Sequence, residues 1–296
     1  MEKNLSRRHF IQRSVVAGVG LTAINPFSAL ADVPRKGMKF GFVTYQWGKD
    51  WDLPTLISNC EKTGFKGVEL RTQHAHGVET SLNALQRAEV KKRFADSSVV
   101  CVGYGSNFEY HSPDPKILRE NIEQTKEYIK LCKDIGAPGI KVKPNNLPAQ
   151  VPREKTISQI AASLNEVGKF AGDIGQLVRV EIHGSLTQEI PNIRAIFEQV
   201  TDPNVKMCWN SNEPDLAPPG LEANFNSVKK WIGDTVHISG FGISKYPYDR
   251  LFKLLDGIKY KNWILLEASS EPQDKIAAMI EQVAMFNKMV SDLKKT

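Results

Sequence analysis

The chain has 296 residues, 41% hydrophobic and 24% charged, an ordinary composition for one large globular domain. Of its formal charge of +6, +3 belongs to residues 1–31 (Lys3, Arg7, Arg8 and Arg13 against Glu2), so the remainder carries only +3. With no basic cluster after residue 36, that balance excludes a nucleic-acid-binding surface.

In chain order, the first element is an address. Ser6-Arg7-Arg8-His9-Phe10-Ile11-Gln12 resembles a twin-arginine export motif. A mild apolar stretch follows from Val15 to Ile24, broken by Gly18 and Gly20 and too short to span a bilayer. Ala29-Leu30-Ala31 then supplies a small-x-small cleavage site. The order is that of a signal peptide, so 1–31 is set apart from the fold and a periplasmic destination is expected. No later segment is expected to insert in a membrane. The cysteines, Cys60, Cys101, Cys132 and Cys208, form no C-x-x-C pair and read as buried thiols.

From Met38 one pattern repeats: a short apolar run, a polar loop, an amphipathic helix. The runs are 39–45, 67–70, 99–102, 139–143, 177–182, 205–209, 235–239 and 263–267. Helices are expected near 53–62, 82–95, 115–135, 154–172, 190–200, 222–231, 248–255 and 272–294. Gly136 and Pro138 stop the third helix. Apolar runs alternating with helices indicate a parallel sheet buried on both faces, and eight units indicate closure. The expectation is α/β, a single-domain (β/α)8 TIM barrel over 32–296. An open doubly wound sheet is the rival, but Thr44-Tyr45-Gln46-Trp47 follows the first strand where such a fold usually carries a glycine-rich loop.

Barrel chemistry sits where strands end, so ionisable residues there are the candidates. Strand two ends in Glu69, followed by His74 and His76; strand four ends in Lys141 and Lys143. Strand five ends in Glu181 and His183, and strand six runs into Asn210, Asn212 and Glu213. Strand seven holds His237 and strand eight ends in Glu267. Burying such groups without partners is costly. Glu181, Asn210, His237 and Glu267, from four successive strands, could converge on one divalent ion: Mn, Mg, Co or Zn.

Val178-Arg-Val-Glu181-Ile-His183, Thr235-Val-His237 and Ile264-Leu-Leu-Glu267 resemble the xylose-isomerase-like TIM barrels of sugar phosphate isomerase/epimerase type, over about residues 38–290. The resemblance implies metal ligands Glu, Asp, His and Glu on strands five to eight. Strand six departs from it: Asn210 stands where Asp is usual, and Glu213 where a His often follows. The site loses a negative charge, which lowers metal affinity or is compensated by Glu213. The resemblance further implies that Glu181 and Glu267 take and return a proton beside a ketone while the metal stabilises an enediolate. His183 fits a substrate-hydroxyl or a structural role. Lys143 fits an oxyanion or a salt bridge to a strand-end Glu. Glu69 is expected to orient a ligand. Trp47 and Trp209 fit stacking on a sugar or packing in the barrel mouth.

Three functions follow: a keto-sugar isomerase or epimerase, a lyase or hydratase on 3-keto-sugars or 3-keto-glycosides, and a non-catalytic metal-dependent sugar-binding protein. The partner expected is a small carbohydrate, with a homo-oligomer left open. The endonuclease branch of the same barrel needs several more His and Asp ligands than this chain has.

Overall fold

Strands form where the chain is buried on both faces. Lys39–Val43 (β1), Gly67–Arg71 (β2) and Gly139–Lys143 (β4) are short, and nearly every residue in them is buried. The structure, a computed structural model, describes residues 37–293; the expected leader at 1–31 lies outside them. The other strands are Val100–Glu109 (β3), Leu177–Glu181 (β5), Val205–Asn210 (β6), Ile232–Ile238 (β7) and Trp263–Leu266 (β8). All pair in parallel with their sequence neighbours, and β1 pairs with β8 (Phe40 opposite Ile264), so the sheet closes in the order β1 to β8.

The helices are Leu53–Thr63 (α1), Ala84–Ala95 (α2), Pro115–Ile135 (α3), Arg153–Asp173 (α4), Ile190–Phe197 (α5), Leu221–Val228 (α6), Tyr248–Gly257 (α7) and Lys275–Leu293 (α8). Their ends follow local chemistry. Asp114 accepts from Lys116 N at the start of α3, and Gly136 ends it in the left-handed conformation, as its position in the sequence predicts. The (β/α)8 expectation is met. β3 is longer than expected because it runs past Gly103 and Gly105 into the polar Ser106–Glu109 segment, where Glu109 still pairs with Lys143.

Alternation along each strand divides two layers. Ile140, Val142, Val178, Val180, Phe40 and Phe42 join the core between sheet and helices. Side chains at the alternate positions fill the barrel. Low in it, Arg179 is fully buried, pairs with both oxygens of Asp234 (2.8 and 2.6 Å) and donates to Val102 O. A Cβ on Gly103 would sit 2.1 Å from its guanidinium, so glycine makes the room it occupies. Val43, Val102 and Leu265 form a separate apolar cluster. Above Arg179, towards the strands' C-terminal ends, the interior turns polar.

Candidate active site at the C-terminal mouth

Because β-strand side chains alternate, Glu69 and Arg71 on β2, Lys141 and Lys143 on β4, and Glu181 on β5 share the interior face. Asn210, His237 and Glu267 join them from β6, β7 and the end of β8. Ligand atoms of Glu181, His237 and Glu267 all lie within 4.8 Å of one another. The structure thus brings together the three residues expected from strands five, seven and eight. Asn210 stands beside them, its amide nitrogen donating to Glu181 Oε1 at 3.1 Å.

Buried charges need partners, and here the chain supplies them. The Lys141 ammonium sits 2.5 Å from Glu181 Oε2, and both side chains are essentially without solvent. Burial works against ionisation of Glu181, but Lys141 and then His237 override it and hold the carboxyl well below the usual range. Arg71 donates to Glu267 Oε1 at 3.0 Å and to Asn107 Oδ1 at 3.0 Å, and its guanidinium lies 4.8 Å from the centre of the Tyr45 ring. His237 Nδ1 is 3.1 Å from Glu267 Oε2 and 3.8 Å from Glu181 Oε1. Burial pushes this imidazole down, but Cys208, Glu69 and Glu267 lift it well above its ordinary value.

Glu69 is fully buried at 3.5 Å from His237 Nε2. Its carboxylate fits only because residue 105 is glycine, whose Cβ would meet Glu69 Oε1 at 2.7 Å. Among the described residues, both Glu69 oxygens and His237 Nε2 lack a hydrogen-bond partner, which buried polar atoms seldom do. Two candidate ligand carboxylates, an imidazole and a carboxamide are a donor set that suits a hard or borderline divalent ion.

Lys143 forms no ion pair among the described residues, so the expected alternative of a strand-end salt bridge falls to Lys141 instead. Burial, and then Lys141, push the Lys143 ammonium below its usual value; Glu181, Arg71 and Glu267 are its other charged neighbours, which places it in the same chamber. His183 Nδ1 donates to Asn145 Oδ1 at 2.8 Å, and burial, with Lys143 and Lys141, holds the ring neutral. Asn145 in turn bonds Glu109, so β3, β4 and β5 are tied at the mouth.

Other expected site residues lie elsewhere. Trp209 points away from the chamber: it is fully buried and its ring packs 5.4 Å from Phe225 of α6, so it cannot stack on a substrate. β6 alternation explains this, since Cys208 and Asn210 take the interior face. Trp47 is 2% exposed, and its indole donates to Ser270 O at 2.7 Å. It ties the loops after β1 and β8 rather than offering a ring. Glu213 is exposed on a 3-10 turn, Glu213–Leu216, in a groove it shares with Glu189, Pro191 and Leu216. His76 is a brace, donating to Arg71 O and accepting from Val78 N–H, and burial pushes it down to about 4.

Arg71, Lys141 and Asn107 are neighbours of the candidate site to which sequence reasoning gave no role, although Lys141 was named among the strand ends. The signal for the first two was present: Glu69-Leu-Arg71 and Lys141-Val-Lys143 place charges two apart, hence on one face of a strand. Asn107 lies in the stretch of β3 that did not read as a strand.

The sequence model of the xylose isomerase-like TIM barrel matches residues 57–212, more than half of the chain. Among solved structures, an L-ribulose 3-epimerase superposes with a TM-score of 0.75 at 17% identity, covering 87% of this chain and 96% of that one. A 3-keto-D-glucoside 4-epimerase from E. coli, in apo form, gives 0.71 at 15%, covering 85% and 99%. A D-allulose 3-epimerase from Methylomonas sp. gives 0.70 at 15%, covering 86% and 99%. Identities this low establish a shared barrel, and the reaction has to be argued from the site.

Proposed function

The chain belongs to the xylose isomerase-like TIM barrel family, and from that premise we propose that it is a divalent-metal-dependent isomerase or epimerase of keto-sugars. The observation that carries the proposal is the convergence of Glu181, His237 and Glu267 at the mouth, within 4.8 Å. Its solved structural neighbours named above are sugar epimerases, and they support the same reading.

In this reading Glu181, His237 and Glu267, with the Asn210 carboxamide, would hold the ion. When bound, the ion would polarise a substrate carbonyl and lower the cost of an enediolate. The chain's own groups do the rest. Glu181, kept ionised by Lys141, removes the proton beside the carbonyl. Glu267, whose Oε2 meets the same His237 Nδ1, returns to the carbon a proton it has first taken up from water, and Glu181 gives the abstracted proton to water between turnovers. Lys143, uncompensated in the chamber, faces negative charge developing on substrate oxygen. His183 has Nδ1–H committed to Asn145, so its Nε2 is free to accept from a sugar hydroxyl. Glu69 holds His237 in place. We also propose export by the twin-arginine route to the periplasm, on Arg7, Arg8 and the Ala29-Leu30-Ala31 site.

A lyase or hydratase on 3-keto-glycosides needs the same proton abstraction, then loss of the group β to the carbonyl. One observation favours it. Leu147, Pro148 and Leu186 line a groove of about 760 Å³ near the Asn145–His183 corner, a volume that would hold an aglycone. NMR in D₂O separates the readings. Metal-loaded protein is given a ketohexose and a 3-keto-glucoside. Deuterium at the α-carbon with the glycosidic bond intact is expected for the epimerase, and release of aglycone for the lyase. Glu181→Gln should abolish exchange. If wild type exchanges nothing on any keto-sugar with metal bound, both catalytic readings fail and only sugar binding remains.

A further inference from the structure

Every oxygen of the two candidate ligand carboxylates already has a donor from the chain. Glu181 Oε1 accepts from Asn210 Nδ2, and Oε2 from the Lys141 ammonium at 2.5 Å. Glu267 Oε1 accepts from Arg71, and Oε2 lies 3.1 Å from His237 Nδ1. A divalent ion has to compete with these donors. Building on the metal reading above, we propose that Lys141 and Asn210 set the affinity of this centre, making it a weak, exchangeable divalent-ion site rather than a tight one.

Charge carries the argument. Three carboxylates, Glu69, Glu181 and Glu267, share the chamber with three cationic side chains, Arg71 paired with Glu267, Lys141 paired with Glu181, and the unpaired Lys143. On formal charges the cluster is therefore neutral before an ion enters, and positive afterwards. With Asp at 210 and an uncharged residue at 141 it would start two charges more negative. Divalent sites are graded in affinity by the charge of their ligands. Lys141 cannot swing out to solvent to make way, because it is fully buried on a strand inside the barrel. Its repulsion of an ion at Glu181 acts at short range where water screens little. Asn210 adds a steric term: its N–H side faces Glu181, so the amide must turn before its oxygen can serve.

A purely structural Lys141 makes the opposite forecast: removing it would disorder Glu181 and weaken metal binding. The full chain, stripped with chelator, is titrated with MnCl₂ by calorimetry and by the loss of the free Mn²⁺ EPR signal. Lys141→Met and Asn210→Asp should each tighten Mn²⁺ by about tenfold or more, while Lys141→Arg stays near wild type. Circular dichroism checks that each variant is folded. If Lys141→Met does not fold, Asn210→Asp decides alone. Folded variants that bind Mn²⁺ no tighter than wild type overturn the proposal. Failure of wild type and all variants to take up Mn²⁺ overturns instead the metal reading on which it rests.

Discussion

Asp215 shows what single residues in this mouth are used for beyond chemistry. It lies in the 3-10 turn after β6, and its Oδ2 accepts from Asn212 N–H at 3.0 Å and from Tyr246 O–H at 2.8 Å. It thereby ties the segment that follows Asn210 to the loop after β7. Burial pushes its carboxyl up to about 7, against the pull of those two donors. The unfolded value lies near 3.8. Between the two the folded chain keeps a proton that the unfolded chain has released. Asp215 therefore adds stability that is complete below the unfolded value and is lost as pH rises through about 7. Asp215→Asn keeps an acceptor for Tyr246 and removes the titration. Denaturant melts at about pH 5 and about pH 8 should show wild type losing stability relative to the variant on the way up. Parallel profiles for the two proteins would rule the argument out. This residue was invisible in the sequence, because an Asp in a Pro-rich loop reads as a solvated turn.

Among the elements, the β4–β5 corner decides where the mouth's polar groups stand. Asn145 and Gly184 form a parallel bridge beyond the two strands, and both have positive φ, 71° and 97°. A Cβ on Gly184 would meet Asn145 O at 2.1 Å, a backbone atom that cannot step aside. Gly184→Ala should therefore cost at least about 2 kcal/mol, combining left-handed strain with overpacking. It should also push Asn145 off His183 and slow exchange on a keto-sugar. Urea denaturation reads the first effect and NMR in D₂O the second; a variant equal to wild type in both would show that the corner is soft. The helices around this corner were legible from their periodicity. The corner itself was not, since two loops from different units meet only after the barrel closes.

For the whole molecule, the barrel separates a stabilising end from a reactive one. Arg179 and Asp234 lie towards the strands' N-terminal ends, away from the mouth, as expected for groups that hold this fold together. Arg179 is fully buried, so deleting its partner strands a charge. Asp234→Ala should lower stability by about 3 kcal/mol, at the low end for a broken buried pair because Asp234 keeps some solvent. Exchange by the surviving folded fraction should keep its wild-type rate. Equilibrium unfolding and kinetics on the same preparation check both, and a selective loss of rate without loss of stability would contradict the division.

The sequence alone specifies the repeat of eight strands and helices, and with it the closed parallel barrel, because apolar runs and helical periodicity are local signals. It also specifies that Glu181, His237 and Glu267 end strands on the reactive face, since strand order and alternation fix both end and side. Their neighbours are set by closure of the barrel. Lys141 on Glu181, Arg71 on Glu267, and Trp209 turned under α6 depend on which interior positions come opposite one another after closure. That is a matter of register between strands tens of residues apart, and no local pattern records it.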